Sequence, residues 1–237
     1  MRCYALNGGS LPFFLPPAID LYIQSLVWEL LFLNSCGKIW PIMSSERTST
    51  TIFMEGASRS GKTTLLNAIE SPDVAIIYKN WPPNLENPTT EFFLERDEDK
   101  LLQAKNSSQS LKLVDRGYLS TLTFYSVLEE QNRISAQPVY KWFIKEMGRK
   151  LYRPDHYIFI DVPPEITLDR YNKKGGLVYE NNMWVKFPQR IDYWYGRLLA
   201  AFEPATSVYH VDGNRDPNIV LEEFNDLLSK LKNVSRK

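Results

Sequence analysis

Residues 56 to 64 read Gly-Ala-Ser-Arg-Ser-Gly-Lys-Thr-Thr, directly behind the apolar run Thr51-Ile52-Phe53-Met54. This is the G-x-x-x-x-G-K-[ST] phosphate loop, placed between a strand-like and a helix-like segment, the setting in which it works. Its glycines let successive backbone N–H groups turn inward, and the following helix adds the positive end of its dipole. Gly56, Ala57, Ser58, Arg59, Ser60, Gly61, Lys62, Thr63 and Thr64 are therefore expected to bind ATP or GTP. Lys62 would reach the β- and γ-phosphates, and the Thr63 hydroxyl would help hold Mg²⁺. The run Leu65-Leu66-Asn67-Ala68-Ile69 supplies the start of the helix behind the loop.

From residue 50 onward, short apolar runs alternate with amphipathic stretches. Candidate strands are Thr51–Glu55, Val74–Tyr78, Leu111–Asp115, Tyr157–Asp161 and Ser207–Val211. Helix-like segments are Lys62–Ile69, Phe92–Lys105, Leu119–Gln131, Tyr140–Leu151, Pro164–Asn172, Pro188–Phe202 and Pro217–Leu231. Strands separated by segments of helical length argue for a parallel sheet covered on both faces. The expected fold is α/β: a P-loop NTPase with a five-stranded parallel sheet, helices on both faces and a short lid. Asp216-Pro217 marks the start of the last helix, a cap followed by proline in the first turn. The chain shows neither an internal repeat nor a low-complexity tract.

Length and charge narrow the class further. A chain of 237 residues suits one compact core, here residues 48–237, behind an N-terminal extension of residues 1–47. The 28 basic and 28 acidic residues cancel, so no global pull toward nucleic acid or anionic membrane follows. Cys3 and Cys36, the only cysteines, fit neither a disulfide framework nor a zinc site, and a reducing cytoplasm is expected. The apolar run Leu21–Leu33 carries Gln24 and Glu29 and falls short of the roughly 20 apolar residues a span needs. Asp20 and Glu29 argue against a secretory signal. The extension reads as a docking segment or as upstream reading frame ahead of a natural start at Met43.

A second site is Asp115-Arg116-Gly117, closing the apolar strand Leu111-Lys112-Leu113-Val114. Ligands of open parallel sheets gather at the carboxyl ends of strands. A carboxylate there can hold Mg²⁺ or accept a proton from an attacking hydroxyl. The adjacent guanidinium can clamp a phosphate with two hydrogen bonds. A surface ion pair after an edge strand is the plainer alternative.

Four ordered blocks resemble the thymidylate kinase family within the nucleoside and nucleotide kinases. They are Phe53–Thr64, Asp115-Arg116-Gly117-Tyr118-Leu119-Ser120, Tyr157–Glu165 running on to Leu168-Asp169-Arg170, and Phe187-Pro188-Gln189-Arg190-Ile191-Asp192-Tyr193. The resemblance implies transfer of the γ-phosphoryl of ATP, with Lys62, Asp115, Arg116 and Arg170 as catalytic residues and Thr63 and Asp115 near Mg²⁺. It places a lid at Tyr171–Lys186, whose Gly175 and Gly176 permit movement and whose Lys173 and Lys174 either offset phosphoryl charge or form a solvated helix end. Asp161 would serve the metal or the strand end, and Asn214 and Arg215 the adenine edge. The acceptor would be a small nucleoside or nucleotide; no membrane partner and a homodimer complete the expectation.

The departures concern the acceptor half. Thymidylate kinases usually carry an arginine-and-proline motif after the second strand, where this chain has Ile77-Tyr78-Lys79-Asn80-Trp81-Pro82-Pro83. Lys79 is at best a partial substitute, because lysine cannot reproduce a two-bond fork. Gly117 stands where relatives often have tyrosine, and Phe124-Tyr125 replaces an aromatic–glutamine pair near the base. Trp81, Phe124 and Tyr125 could stack on a nucleobase or simply pack the core. Three functions therefore stay open: a kinase of deoxynucleosides or their monophosphates, a phage-type kinase of 5-hydroxymethyluracil in DNA, and a non-catalytic NTP-dependent switch.

Overall fold

The computed structural model describes residues 49–78, 88–174 and 182–234. The expectations for residues 1–47 (Cys3, Cys36 and the Leu21–Leu33 run among them), for Lys79 and Trp81, and for Gly175 and Gly176 lie outside the described residues. So does the middle of the expected lid.

Five strands form one sheet: β1 (Thr50–Glu55), β2 (Val74–Ile77), β3 (Leu111–Asp115), β4 (His156–Asp161) and β5 (Ser207–Asp212). All pairings are parallel and the order is β2-β3-β1-β4-β5. The crossovers are α1 (Lys62–Asn67), α2 (Thr90–Asn106), then α3 (Tyr118–Glu130) with α4 (Gln137–Glu146), and α5 (Pro164–Lys173), α6 (Met183–Lys186) and α7 (Pro188–Phe202); α8 (Pro217–Val234) follows β5. Parallel strands need such long crossovers, which cover the sheet and make its strands apolar on both faces.

The period-2 alternation of strands sorts side chains onto two cores. Ile52, Met54, Leu113, Ile158 and Ile160 pack with Leu65 and Leu66 of α1 and with Phe224 and Leu228 of α8. Phe53, Val114, Tyr157 and Phe159 face Leu101, Leu122, Phe143 and Leu198 from α2, α3, α4 and α7. Each such buried side chain contributes about 1.5–3 kcal/mol. The alternation also aims the ends of the central strands. Glu55 shares the face of Phe53, under α3 and α7; Asp115 shares the face of Leu113, on the side of α1.

Local chemistry sets most boundaries. The Thr89 hydroxyl accepts the Phe92 N–H at 3.3 Å and starts α2 two residues ahead of the expected Phe92. Asp216 accepts the Asn218 N–H at 2.9 Å at the start of α8. The largest disagreement is α4, expected over Tyr140–Leu151 and found over Gln137–Glu146. Pro138 fits its first turn, and Gly148, at φ 82°, takes the left-handed position that ends it. α6 lies inside the stretch expected as lid, and Tyr171 to Lys173 belong to α5. Among the described residues no helix is long and apolar enough to cross a membrane.

Candidate active site

The phosphate loop closes on itself around one cation. The buried Lys62 ammonium donates to the carbonyls of Gly56 (2.9 Å) and Ala57 (2.7 Å) and to Ser60 Oγ (2.8 Å). Gly56 sits at φ 139°, and a Cβ there would lie 2.6 Å from the Ile160 carbonyl oxygen of β4. Gly61 takes φ 104° ahead of α1. Both positions need glycine for conformation, and the first also for space. Arg59, at φ 64°, carries its guanidinium 5.4 Å from the centre of the Tyr171 ring.

Arg170 braces this loop. Its guanidinium donates to the Gly213 carbonyl at 2.9 Å and, more weakly, to the Arg59 carbonyl at 3.4 Å. Gly213 is itself wedged in, since a Cβ there would come within 2.7 Å of Ile160 and Val162. Beyond it, Arg215 pairs with Asp212 at 3.6 Å and with Glu223, while the Asn214 N–H goes to Asp212. Asp161 is half-buried at the end of β4, with its pKa raised by burial; Asp192 is pushed up to about 6 by burial and by the carboxylates of Asp161 and Glu165. Among the described residues no group of three or more His, Cys, Asp or Glu is arranged to hold a metal.

The second expected site lies beside the first, because β3 pairs with β1 and Met54 stands opposite Asp115. Asp115 is buried, and its Oδ1 has no hydrogen-bond partner. Such an orphaned acceptor is costly, about 1–3 kcal/mol, unless a ligand or proton donor satisfies it. Arg116 adopts φ 58°, a left-handed conformation that costs an arginine about 1–2 kcal/mol. The strain turns its guanidinium back over the end of the sheet. Nη1 donates to Tyr195 Oη at 3.0 Å and to Ser120 Oγ at 3.3 Å, and the group lies 4.4 Å from the Trp184 ring centre.

Beneath Arg116 is a carboxylate that no sequence motif marks as functional. Glu55 is fully buried and accepts from the Gly117 N–H (2.8 Å), Ser120 Oγ (2.5 Å) and Tyr195 Oη (3.3 Å). Burial raises its pKa to about 7, opposed by the Ser120 bond and by the Arg116 charge. Tyr195 Oη also lies 3.3 Å from the Gly56 carbonyl oxygen, which shares the hydroxyl's single proton with Glu55, so one phenol touches the phosphate loop, Glu55 and Arg116. Glu55 closes an apolar strand immediately before the loop, and that position is a readable signal. Tyr195, 140 residues away on α7, carries none.

Gly117 explains one departure from the family pattern. A Cβ on it would lie 2.2 Å from Phe53 Cδ2, so no larger residue fits while Phe53 fills the core. Away from the loop, the rings of Phe93, Phe124 and Trp184 run in sequence at centroid spacings of 5.9 and 6.2 Å. Arg116 covers the Trp184 end, and Arg96 lies 4.9 Å from the Phe93 ring with buried Nε and Nη1 unpartnered. Of the expected aromatics, Phe124 belongs to this strip, while Tyr125 is buried and donates to Thr90 at 3.0 Å. Phe93 and Arg96 are i, i+3 neighbours on α2, but their meeting with Phe124 and Trp184 is tertiary and escapes sequence reading.

No protein-family model and no curated protein matches the sequence. Solved structures do match its fold. Three of deoxyadenosine kinase from M. mycoides align over 76% of this chain and 99% of theirs. One, with products dCMP and a flexible dCDP bound, gives a TM-score of 0.57 at 20% identity. One with bound dATP gives 0.60 at 18%, and one with bound dCTP gives 0.54 at 19%. The fold is thus the P-loop fold of these deoxyadenosine kinases, and the match does not single out the thymidylate kinases that the sequence blocks resemble.

Proposed function

We propose that this chain is an ATP-dependent phosphotransferase of the nucleoside and nucleotide kinase type, acting on a deoxynucleoside or its monophosphate. The observation that carries the reading is the unpartnered, buried Asp115 oxygen at the end of β3, the strand beside β1 and its phosphate loop, with Arg116 the next residue in the chain. A donor site and an acceptor site then meet at the carboxyl ends of two neighbouring strands.

On this reading the loop N–H groups cradle the triphosphate, and Lys62 exchanges its loop partners for phosphate oxygens. Thr63 and Asp115 offer oxygen ligands only, the donor set that suits Mg²⁺ completed by phosphate and water. Bound there, the ion would offset charge on the β- and γ-phosphates. An acceptor oxygen attacks the γ-phosphorus; that bond forms as the bridging P–O bond breaks, and its electron pair leaves on ADP. For a hydroxyl acceptor the proton passes to Asp115. Arg116 holds the transferring or accepting phosphate oxygens, where a planar fork suits them. The strip Phe93–Phe124–Trp184 provides a stacking surface for a planar base, and Arg96 a free donor edge. Arg170 supports the loop from outside it.

The deciding experiment is ATP turnover with purified protein and Mg²⁺ against free deoxynucleosides, their monophosphates and duplex DNA containing 5-hydroxymethyluracil. A phosphorylated small-molecule product is expected. Label on the duplex alone would favour the DNA reading, and tight ATP binding with no product would favour a switch.

A further inference from the structure

The Arg116–Gly117 peptide is gripped at both ends by buried charge. Its carbonyl oxygen accepts a hydrogen bond from the Lys100 ammonium of α2. Its N–H donates to the Glu55 carboxylate of β1 at 2.8 Å. The side chains of Lys100 and Glu55 are almost wholly buried, at 2% and 0% exposure. Lys100 is anchored in turn by Asp97, at 2.8 Å, and Asp97 accepts from Thr121 Oγ1 at 2.5 Å. A peptide carries a dipole with its oxygen negative and its N–H positive. Placed between a cation and an anion, this peptide has one favoured orientation; turning it over would set oxygen against carboxylate and N–H against ammonium.

That orientation decides where Arg116 points. The peptide's rotation is the ψ of Arg116 and the φ of Gly117. The preceding peptide is held by the Arg116 N–H, which donates to the Met54 carbonyl at 3.0 Å, so with the peptides on both sides fixed Arg116 is kept at φ 58°. Strained backbone persists only where its surroundings over-determine it, and here both poles of one peptide are determined. We propose that Lys100 and Glu55 are positioning residues that clamp the Arg116–Gly117 peptide and so hold Arg116 in its strained, acceptor-facing conformation. This rests on the kinase reading for its consequence, but not for its geometry. Packing alone does not account for Lys100, because buried lysines are expensive and an aliphatic residue would fill its place on α2. Tyr195 and Ser120, which touch both Glu55 and the Arg116 guanidinium, complete the hold on the side chain.

The clamp is read directly by the Gly117 amide in ¹H–¹⁵N spectra of the full chain. Its proton should resonate downfield in the wild type, as befits donation to a carboxylate, and move upfield in Glu55→Gln. It should move again in the double variant Asp97→Asn/Lys100→Met, which removes the buried Lys100–Asp97 pair together and leaves Arg96, 3.5 Å from Asp97, an amide oxygen in place of the carboxylate. In that double variant kcat for phosphoryl transfer should fall about 10²-fold, as for a misplaced catalytic group, with ATP affinity within about threefold of wild type. Glu55→Gln keeps an acceptor for Gly117 and should lose only about fivefold in kcat, whereas Glu55→Ala should lose as much as the double variant. An unmoved Gly117 signal, wild-type turnover in the double variant, or parallel loss of ATP binding and turnover would each overturn the proposal. A wild type that phosphorylates nothing would instead sink the kinase reading while leaving the Gly117 measurement able to decide the clamp.

Discussion

On the proposed kinase reading, the two halves of the site, donor and acceptor, are built by opposite means. The donor half is nine consecutive residues that fold back on their own lysine, with Lys62 bonded to Gly56, Ala57 and Ser60. The acceptor half is gathered from β1, α2, the β3–α3 turn, α6 and α7. Its central arginine depends on Glu55, Ser120, Tyr195 and Trp184, none of them a sequence neighbour except Ser120. A local site is robust to changes elsewhere in the protein. An assembled one fails whenever any contributing element shifts, and its failure shows in turnover before it shows in nucleotide binding.

The sharpest way to break this contrast is Lys62→Ala. Turnover should fall about 10³-fold or more, because a preorganised charge on the reacting phosphates is lost. The protein should still melt cooperatively, which calorimetry checks; near-normal turnover would remove the donor site altogether. Next comes Asp115→Asn, expected to cost about 10²-fold in kcat while ATP affinity, measured by titration calorimetry, changes little. Arg116→Lys should follow the same pattern, since lysine offers no fork and no flat face for Trp184. Equal losses of ATP binding in these variants would merge the two halves into one site.

The pH dependence separates function from stability in the acceptor half. Glu55 has its pKa raised from 4.5 to about 7. Its ionised form accepts the bonds from Gly117, Ser120 and Tyr195, with the Lys100 and Arg116 charges facing it and the buried phenols of Tyr118 and Tyr157 close by. Turnover should therefore decline as pH falls through 7 and level off about fivefold lower once Glu55 is protonated, matching the loss in Glu55→Gln. Stability should run the other way. Between 4.5 and 7 the folded state holds a proton that the unfolded state has lost, so this group's contribution, about 3 kcal/mol, fades as pH rises through that window. Asp192, raised to about 6, adds in the same direction. Denaturation midpoints across roughly pH 5–8 test the sign, and Glu55→Gln should remove most of the slope.

Gly117→Ala is a smaller, structural perturbation, costing about 1–3 kcal/mol as Phe53 yields to the new methyl group. Urea unfolding would report it, and a drop in kcat larger than in stability would tie the turn to Arg116. Smallest of all is Lys173→Ala. Lys173 pairs with Asp169 at 2.7 Å on an exposed helix face, so stability should change by at most about 0.5 kcal/mol. A large loss of turnover there would extend the donor half to include the end of α5.

Much of the frame is legible in the sequence alone. The five strands fall where apolar runs predict, β3 and α7 to the residue, because strands buried on both faces are continuous apolar runs and Pro188 marks a helix start. The ends of α4 mislead because its pattern of Val139, Tyr140 and Phe143 runs on to Met147 and Leu151, which form a bridge beyond the helix rather than another turn. Lys79 and Trp81, candidates for the acceptor site, lie outside the described residues.

What the sequence determined by itself is the donor half, and the reason is locality: glycine conformations, a following helix and a lysine six residues from Gly56 are all encoded within one turn of chain. Only the tertiary structure decided the acceptor half. Lys100 lies 16 residues from the carbonyl it holds and Tyr195 lies 140 from Glu55. Contacts at those separations have no period and no spacing to read; they exist because parallel strand order sets β1 beside β3, and α2, α3 and α7 then have one shared face to cover.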